Sequence, residues 1–102
     1  SFHSMKEVFI FEIFNFVLAW DNKRNVTPSE QVTFVHLGEE VGELAREYVN
    51  KESRKDKFSD DELNNAIGDA LMQLIKLAQL RNVDIENLIL KIIKNEQGLL
   101  KQ

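Results

Sequence analysis

The chain has no cysteine, one proline, four glycines, one tryptophan and one tyrosine in 102 residues. Without cysteine there is no disulfide framework, no thiolate nucleophile and no zinc-thiolate centre. So little proline and glycine leaves few breaks for turns, and no segment alternates in the way a half-buried strand does. Long apolar runs are also missing: the richest stretch, Val8 to Trp20, is interrupted by Glu12 and Asn15, so a membrane span is excluded. Basic charge is in deficit, 13 Lys+Arg against 17 Asp+Glu for a net −4, which argues against a binding surface for a nucleic-acid polymer. These absences fit a cytoplasmic setting.

What is present is helical periodicity. With 43% hydrophobic and 29% charged residues, the composition suits one small domain. Ser1 to Ser4, ahead of Met5, read as a remnant outside the natural domain, leaving 5–102 as a single helical unit. Helix 1 is predicted over roughly Lys6 to Asp21. It is apolar almost all round, which implies burial on more than one side and, in so short a chain, a second copy as part of the cover. Thr27-Pro28-Ser29-Glu30 reads as a capping box that opens helix 2, with proline at its first position, and the helix runs to about Asn50. After a basic linker, Ser59-Asp60-Asp61-Glu62 forms a second capping box for helix 3, which extends to about Arg81. Asp84 caps helix 4, with Ile85, Leu88, Ile89, Ile92 and Ile93 as its apolar stripe. The expectation is an all-α, four-helix bundle.

Two acidic segments carry the chemistry. On helix 2, in HLGEEVGELARE, Leu37, Val41, Leu44 and Tyr48 share one face. Glu40, Glu43, Glu47 and His36 share a neighbouring one, with Glu39 at its edge. Taken alone, such a face is what a solvated amphipathic helix shows, since like charges at this spacing cost only a few tenths of a kcal/mol. On helix 3 a polar line of Glu62, Asn65, Asp69, Gln73 and Lys76 runs through a broad apolar set. Asp69 sits mid-helix beside Gly68, two poor helix formers together, which suggests selection by something other than propensity. If helices 2 and 3 are antiparallel neighbours, Asp69 faces Glu40 and Glu43. Carboxylates that converge in this way call for a cation, and oxygen ligands suit Mg²⁺ or Mn²⁺.

HLGEEVGELARE followed by NAIGDALMQLIKLA resembles the MazG-like all-α nucleoside triphosphate pyrophosphohydrolases, whose pattern is Glu-Glu-x-x-Glu, a spacer, then Glu-x-x-Asp. Glu39, Glu40, Glu43 and Asp69 fall on that pattern. RNVDIENLILKIIKN resembles the family's fourth helix and places Lys91 and Asn95 on its Lys and Asn. The likeness spans helices 2 to 4, and helix 1 agrees in character only. The resemblance implies hydrolysis of a nucleoside triphosphate to monophosphate and pyrophosphate, in a MazG-like bundle completed by oligomerisation to a homodimer or homotetramer, the tetramer favoured. It also implies a house-cleaning role toward non-canonical or surplus nucleotides.

By the same resemblance, Glu40, Glu43 and Asp69 hold Mg²⁺, and Glu39 orients or deprotonates the attacking water. Lys91 and Asn95 contact phosphate or ribose, and Trp20, Phe16 and Asn15 at the end of helix 1 form the base slot. One position departs from the pattern. Ala66 stands where the family has a ligand glutamate. Glu62, one turn earlier, is a substitute candidate, although its side chain leans away and serves the capping box. Gly98 stands where many relatives carry an arginine. Two rivals remain on this reading: an Mg²⁺ and nucleotide sensor without turnover, and a helical oligomerisation module with wet acidic faces.

Overall fold

The structure is a computed structural model that describes residues 2–25 and 29–100, with side chains described for 12, 13, 15–25 and 29–98. Four helices follow one another: α1 (Phe2–Lys23), α2 (Glu30–Ser53), α3 (Asp60–Leu80) and α4 (Ile85–Leu100). No strand occurs among the described residues. The all-α expectation therefore holds. α1 is longer at both ends than its apolar run predicts, and begins inside the stretch set aside as a remnant.

The caps were largely legible. Ser59 Oγ accepts from the Glu62 backbone N–H at 3.3 Å, and Asp84 Oδ1 accepts from the Asn87 N–H at 3.1 Å. At the start of α2 the cap is Ser29, whose Oγ accepts from the Val32 N–H at 3.1 Å. The predicted cap is thus displaced by two residues, because Ser29 itself adopts the extended backbone (φ −146°) that frees its hydroxyl to bond inward. Thr27 and Pro28 lie outside the described residues. α3 ends in a Schellman turn: Val83 N–H donates to Ala78 O at 2.9 Å and Asn82 N–H to Gln79 O at 3.0 Å. Asn82 carries the positive φ of 57° that this turn needs.

α2 and α3 are the best-packed pair, and α1 lies against α3. Arg81, just past the end of α3, donates to Glu30 Oε1 at the start of α2 (2.6 Å), so α2 and α3 run antiparallel. Their facing surfaces are unusually polar. The buried residues of α2 are Thr33 and Asn50, while Glu40 and Glu47 each bury one carboxylate oxygen. Val41 and Tyr48, placed on the apolar face of α2 by the periodicity, are 50% and 53% exposed. Leu63, Ala66 and Ile75 of α3 are buried and Leu37 and Leu44 of α2 half-buried, so polar and apolar side chains share the interior while part of the apolar surface stays exposed.

This leaves an open shape. The radius of gyration is 16.7 Å, against about 13 Å for a globule of this length. Accessible surface is 8022 Å², roughly 2,000 Å² more than a folded monomer of 11.9 kDa exposes. Most of α4 is exposed, including Leu88, Ile89, Ile92 and Ile93.

α1 is fixed to α3 by a buried ion pair. Asp21 and Lys76 are paired with side chains only 2% and 3% exposed, and Arg24 adds a second contact to Asp21 at 3.2 Å. Burial lowers the Lys76 pKa, because the charged ammonium has lost its water. Asp21→Ala strands that ammonium and should cost about 3–5 kcal/mol at pH 7. Since folded Lys76 then binds fewer protons than unfolded Lys76, stability rises with pH and the deficit shrinks toward pH 10. Adding Lys76→Met to the same chain should recover most of the loss, read as the urea midpoint at constant slope.

Candidate active site

The seam opens into a cavity of about 350 Å³ where α1 meets α2 and α3. α1 supplies Phe16, Val17, Trp20, Asp21 and Arg24; α2 supplies His36, Glu39 and Glu40; α3 supplies Asp69, Met72 and Gln73. Helical spacing explains this grouping. Phe16, Trp20 and Arg24 recur every fourth residue, as do His36 and Glu40, and Asp69 and Gln73, so each set lies along one face of its helix. Phe16 and Trp20 stack at 6.4 Å between ring centroids with 18° between planes. The Arg24 guanidinium lies over the Trp20 ring at 5.6 Å and the Lys23 ammonium at 6.0 Å. Both aromatic rings remain accessible, Phe16 at 59% and Trp20 at 48%.

The electrostatics centre on Glu40. Its pKa is raised first by burial, then by the charges of Glu43 and Asp69, with a hydrogen bond to Glu43 and the charge of Glu39 adding to the shift. Glu40 Oε2 is buried without a hydrogen-bond partner. Glu39, Glu43 and Asp69 thus all bear on Glu40, but all three are exposed and Glu43 lies outside the cavity lining.

Among the described residues, no group of three or more histidine or carboxylate side chains is placed to hold a metal ion as the side chains stand. The donor set still fits a hard divalent cation. It is all oxygen, one of its atoms is an orphaned buried acceptor, and its members repel one another until a positive charge is added.

The remaining predicted residues stand apart. Glu62 is exposed in the first turn of α3, its backbone N–H bonded to Ser59. Ala66 is buried, 6% exposed. Asn15 is exposed and outside the cavity lining, and Lys91 and Asn95 are exposed on α4, also outside it. Sequence reasoning missed Asp21 and Arg24. The signal was their spacing: Asp21 follows the buried Val17 by one turn, and Arg24 follows Trp20 by one turn.

Fold and site together define an all-α protein with an acidic cleft beside an aromatic wall. The model of the MazG nucleotide pyrophosphohydrolase domain matches residues 29–97. The chain belongs to that family. Comparison with curated proteins and with solved structures returns no match.

The raised Glu40 pKa has a stability consequence. A carboxyl whose folded pKa lies above its unfolded value contributes stability that is present at low pH and lost as pH rises through the folded value. Without divalent ions, Glu40→Gln should therefore raise the melting temperature at pH 7 and leave it nearly unchanged below pH 4. Mg²⁺ should stabilise the parent chain at pH 7 and have much less effect on Glu40→Gln, as followed by thermal melts with and without chelator.

Proposed function

We propose that this member of the family is a nucleoside triphosphate pyrophosphohydrolase that converts a (d)NTP and water to the (d)NMP and pyrophosphate. The observation that carries the proposal is the unpartnered, buried Glu40 oxygen held among Glu39, Glu43 and Asp69 beside an aromatic-lined cavity. Glu40, Glu43 and Asp69 hold the metal, with Glu62 as a weaker fourth candidate. Mg²⁺, or Mn²⁺ in its place, supplies charge neutralisation for the triphosphate and polarisation of a bound water when present. Glu39 orients that water and accepts its proton as the bond between the α- and β-phosphates breaks. Phe16 and Trp20 receive the base, with Asn15 nearby, and Lys91 and Asn95 serve the phosphates or ribose.

Self-association belongs to the same proposal. Lys91 and Asn95 sit on a helix whose apolar stripe is bare, so packing that stripe against another copy is the means to bring them to a cleft. Surplus surface of roughly 2,000 Å² per chain leaves room for two interfaces of ordinary size, about 800 Å² a side, which supports a tetramer over a dimer. Removal of non-canonical or surplus nucleotides in the cytoplasm is the role that fits such a hydrolase.

Pyrophosphate release should be measured over canonical and modified NTPs and dNTPs with Mg²⁺, beside Glu43→Gln. Loss of turnover in Glu43→Gln should exceed the roughly 10–100-fold that loss of an outer-shell partner costs. Stabilisation by Mg²⁺ and nucleotide without turnover would instead make the protein a sensor that Ala66 has disarmed. Neither turnover nor stabilisation would reduce it to a helical association module. In sedimentation equilibrium the parent chain should exceed its 11.9 kDa monomer mass, and Ile92→Glu on the bare stripe of α4 should shift it toward monomer.

A further inference from the structure

We infer that Arg24 reads the substrate's base and selects one that carries a ring carbonyl, so that adenine is the disfavoured base. This rests on the nucleotide reading above and adds to it a specificity that no family likeness supplies. The cavity has two chemically different ends. Asp69 marks one. The other is fixed by Asp21, which meets α3 at Lys76, seven residues and therefore about 10 Å further along the helix axis. Phosphates belong at the carboxylate end, where the proposed cation would be held, so the base belongs at the other end, where Asp21 holds Arg24 beside Trp20.

At that end Arg24 is positioned rather than loose. Its guanidinium is 3.2 Å from Asp21 Oδ1, and Asp21 is itself held by the buried Lys76. It also lies over the Trp20 ring at 5.6 Å. A guanidinium offers five N–H donors and no acceptor, and Asp21 engages only part of that fork. What it demands of a ligand stacked on Trp20 is an acceptor in the base plane. Guanine, hypoxanthine, cytosine, uracil and thymine all present a carbonyl oxygen. Adenine has none.

Gln73 supplies the complementary demand from α3. Its Oε1 is buried, lines the same cavity and has no partner, so it calls for an N–H from the ligand. Every carbonyl-bearing base also carries a ring or exocyclic N–H. Such a base satisfies both groups, whereas adenine satisfies Gln73 and leaves Arg24 with ring nitrogens alone.

Trp20 is the sole tryptophan of the chain, so its fluorescence reports stacking at this site directly. Quenching should be titrated in Mg²⁺ with IMP and AMP, which differ only at the carbonyl or amino position and the adjoining ring nitrogen, and then with GMP, CMP and UMP. IMP and GMP should bind at least about fivefold more tightly than AMP, the lower end of what one bidentate contact discriminates. Arg24→Gln should erase that gap by weakening IMP while leaving AMP within about twofold, and Arg24→Lys should restore part of it. Equal binding of IMP and AMP by the parent chain, or equal weakening of both by Arg24→Gln, would overturn the inference. Pyrophosphate release from ITP and ATP separates the two levels. Turnover of both without preference sinks base selection and leaves the hydrolase intact, whereas absence of both turnover and quenching sinks both.

Discussion

Glu40 is pressed among Glu39, Glu43 and Asp69 on the seam where α2 meets α3, and a helix pair does not hold like charge inward without compensation. On a solvated helix face the same glutamates would cost a few tenths of a kcal/mol per pair. Here Glu40 is half-buried, with one oxygen out of reach of water and of any donor, while Glu39, Glu43 and Asp69 stay exposed, so the need for the cation proposed above centres on Glu40. The site's chemistry follows from that orientation more than from the identity of any one residue.

The orientation also decides where the apolar surface goes. If the polar line of α3 and the acidic line of α2 face each other, the apolar sets of both helices must look elsewhere. α1 covers part of this surface, anchored through Val17 and the Asp21–Lys76 pair. The rest, including Val41, Tyr48, Ile67, Leu71 and the stripe of α4, remains exposed in the single chain. Under the self-association proposed above, this is the surface that a second copy would cover.

Much of this was legible in the sequence, and the parts that were not have physical reasons. The four helices followed from periodicity and from Ser59 and Asp84, whose capping needs only local geometry. Glu40 and Asp69 were legible as partners because Asp69 beside Gly68 contradicts helix propensity. The facing of α2 was not settled by its own pattern. An amphipathic helix shows which face is apolar but not whether that face meets its own chain or another, and here Glu40 and Glu47 turn partly in while Val41 and Tyr48 stay exposed. Lys76 was legible as a polar residue on α3. Its burial was not, because it depends on Asp21, from another helix far away in sequence. Arg24 escaped for the same reason: a half-exposed arginine at a helix end looks like solvent-facing charge until its neighbours are known.

Ala66 acquires a different meaning in this setting. The position is buried and lies one turn before Asp69 on α3. A glutamate there would bring one more negative charge to a place where Glu40 is already pushed toward protonation by its neighbours. It would add a ligand when metal is bound and add repulsion when it is not. Alanine reverses the balance: it removes an anionic donor but lets α2 and α3 close with less cation-dependent strain. Three carboxylates completed by water remain adequate coordination for Mg²⁺, which retains several waters in any case. If the cleft holds Mg²⁺ as proposed, the substitution bears first on how strongly folding and metal binding are coupled, and only through that coupling on the chemistry of the cleft.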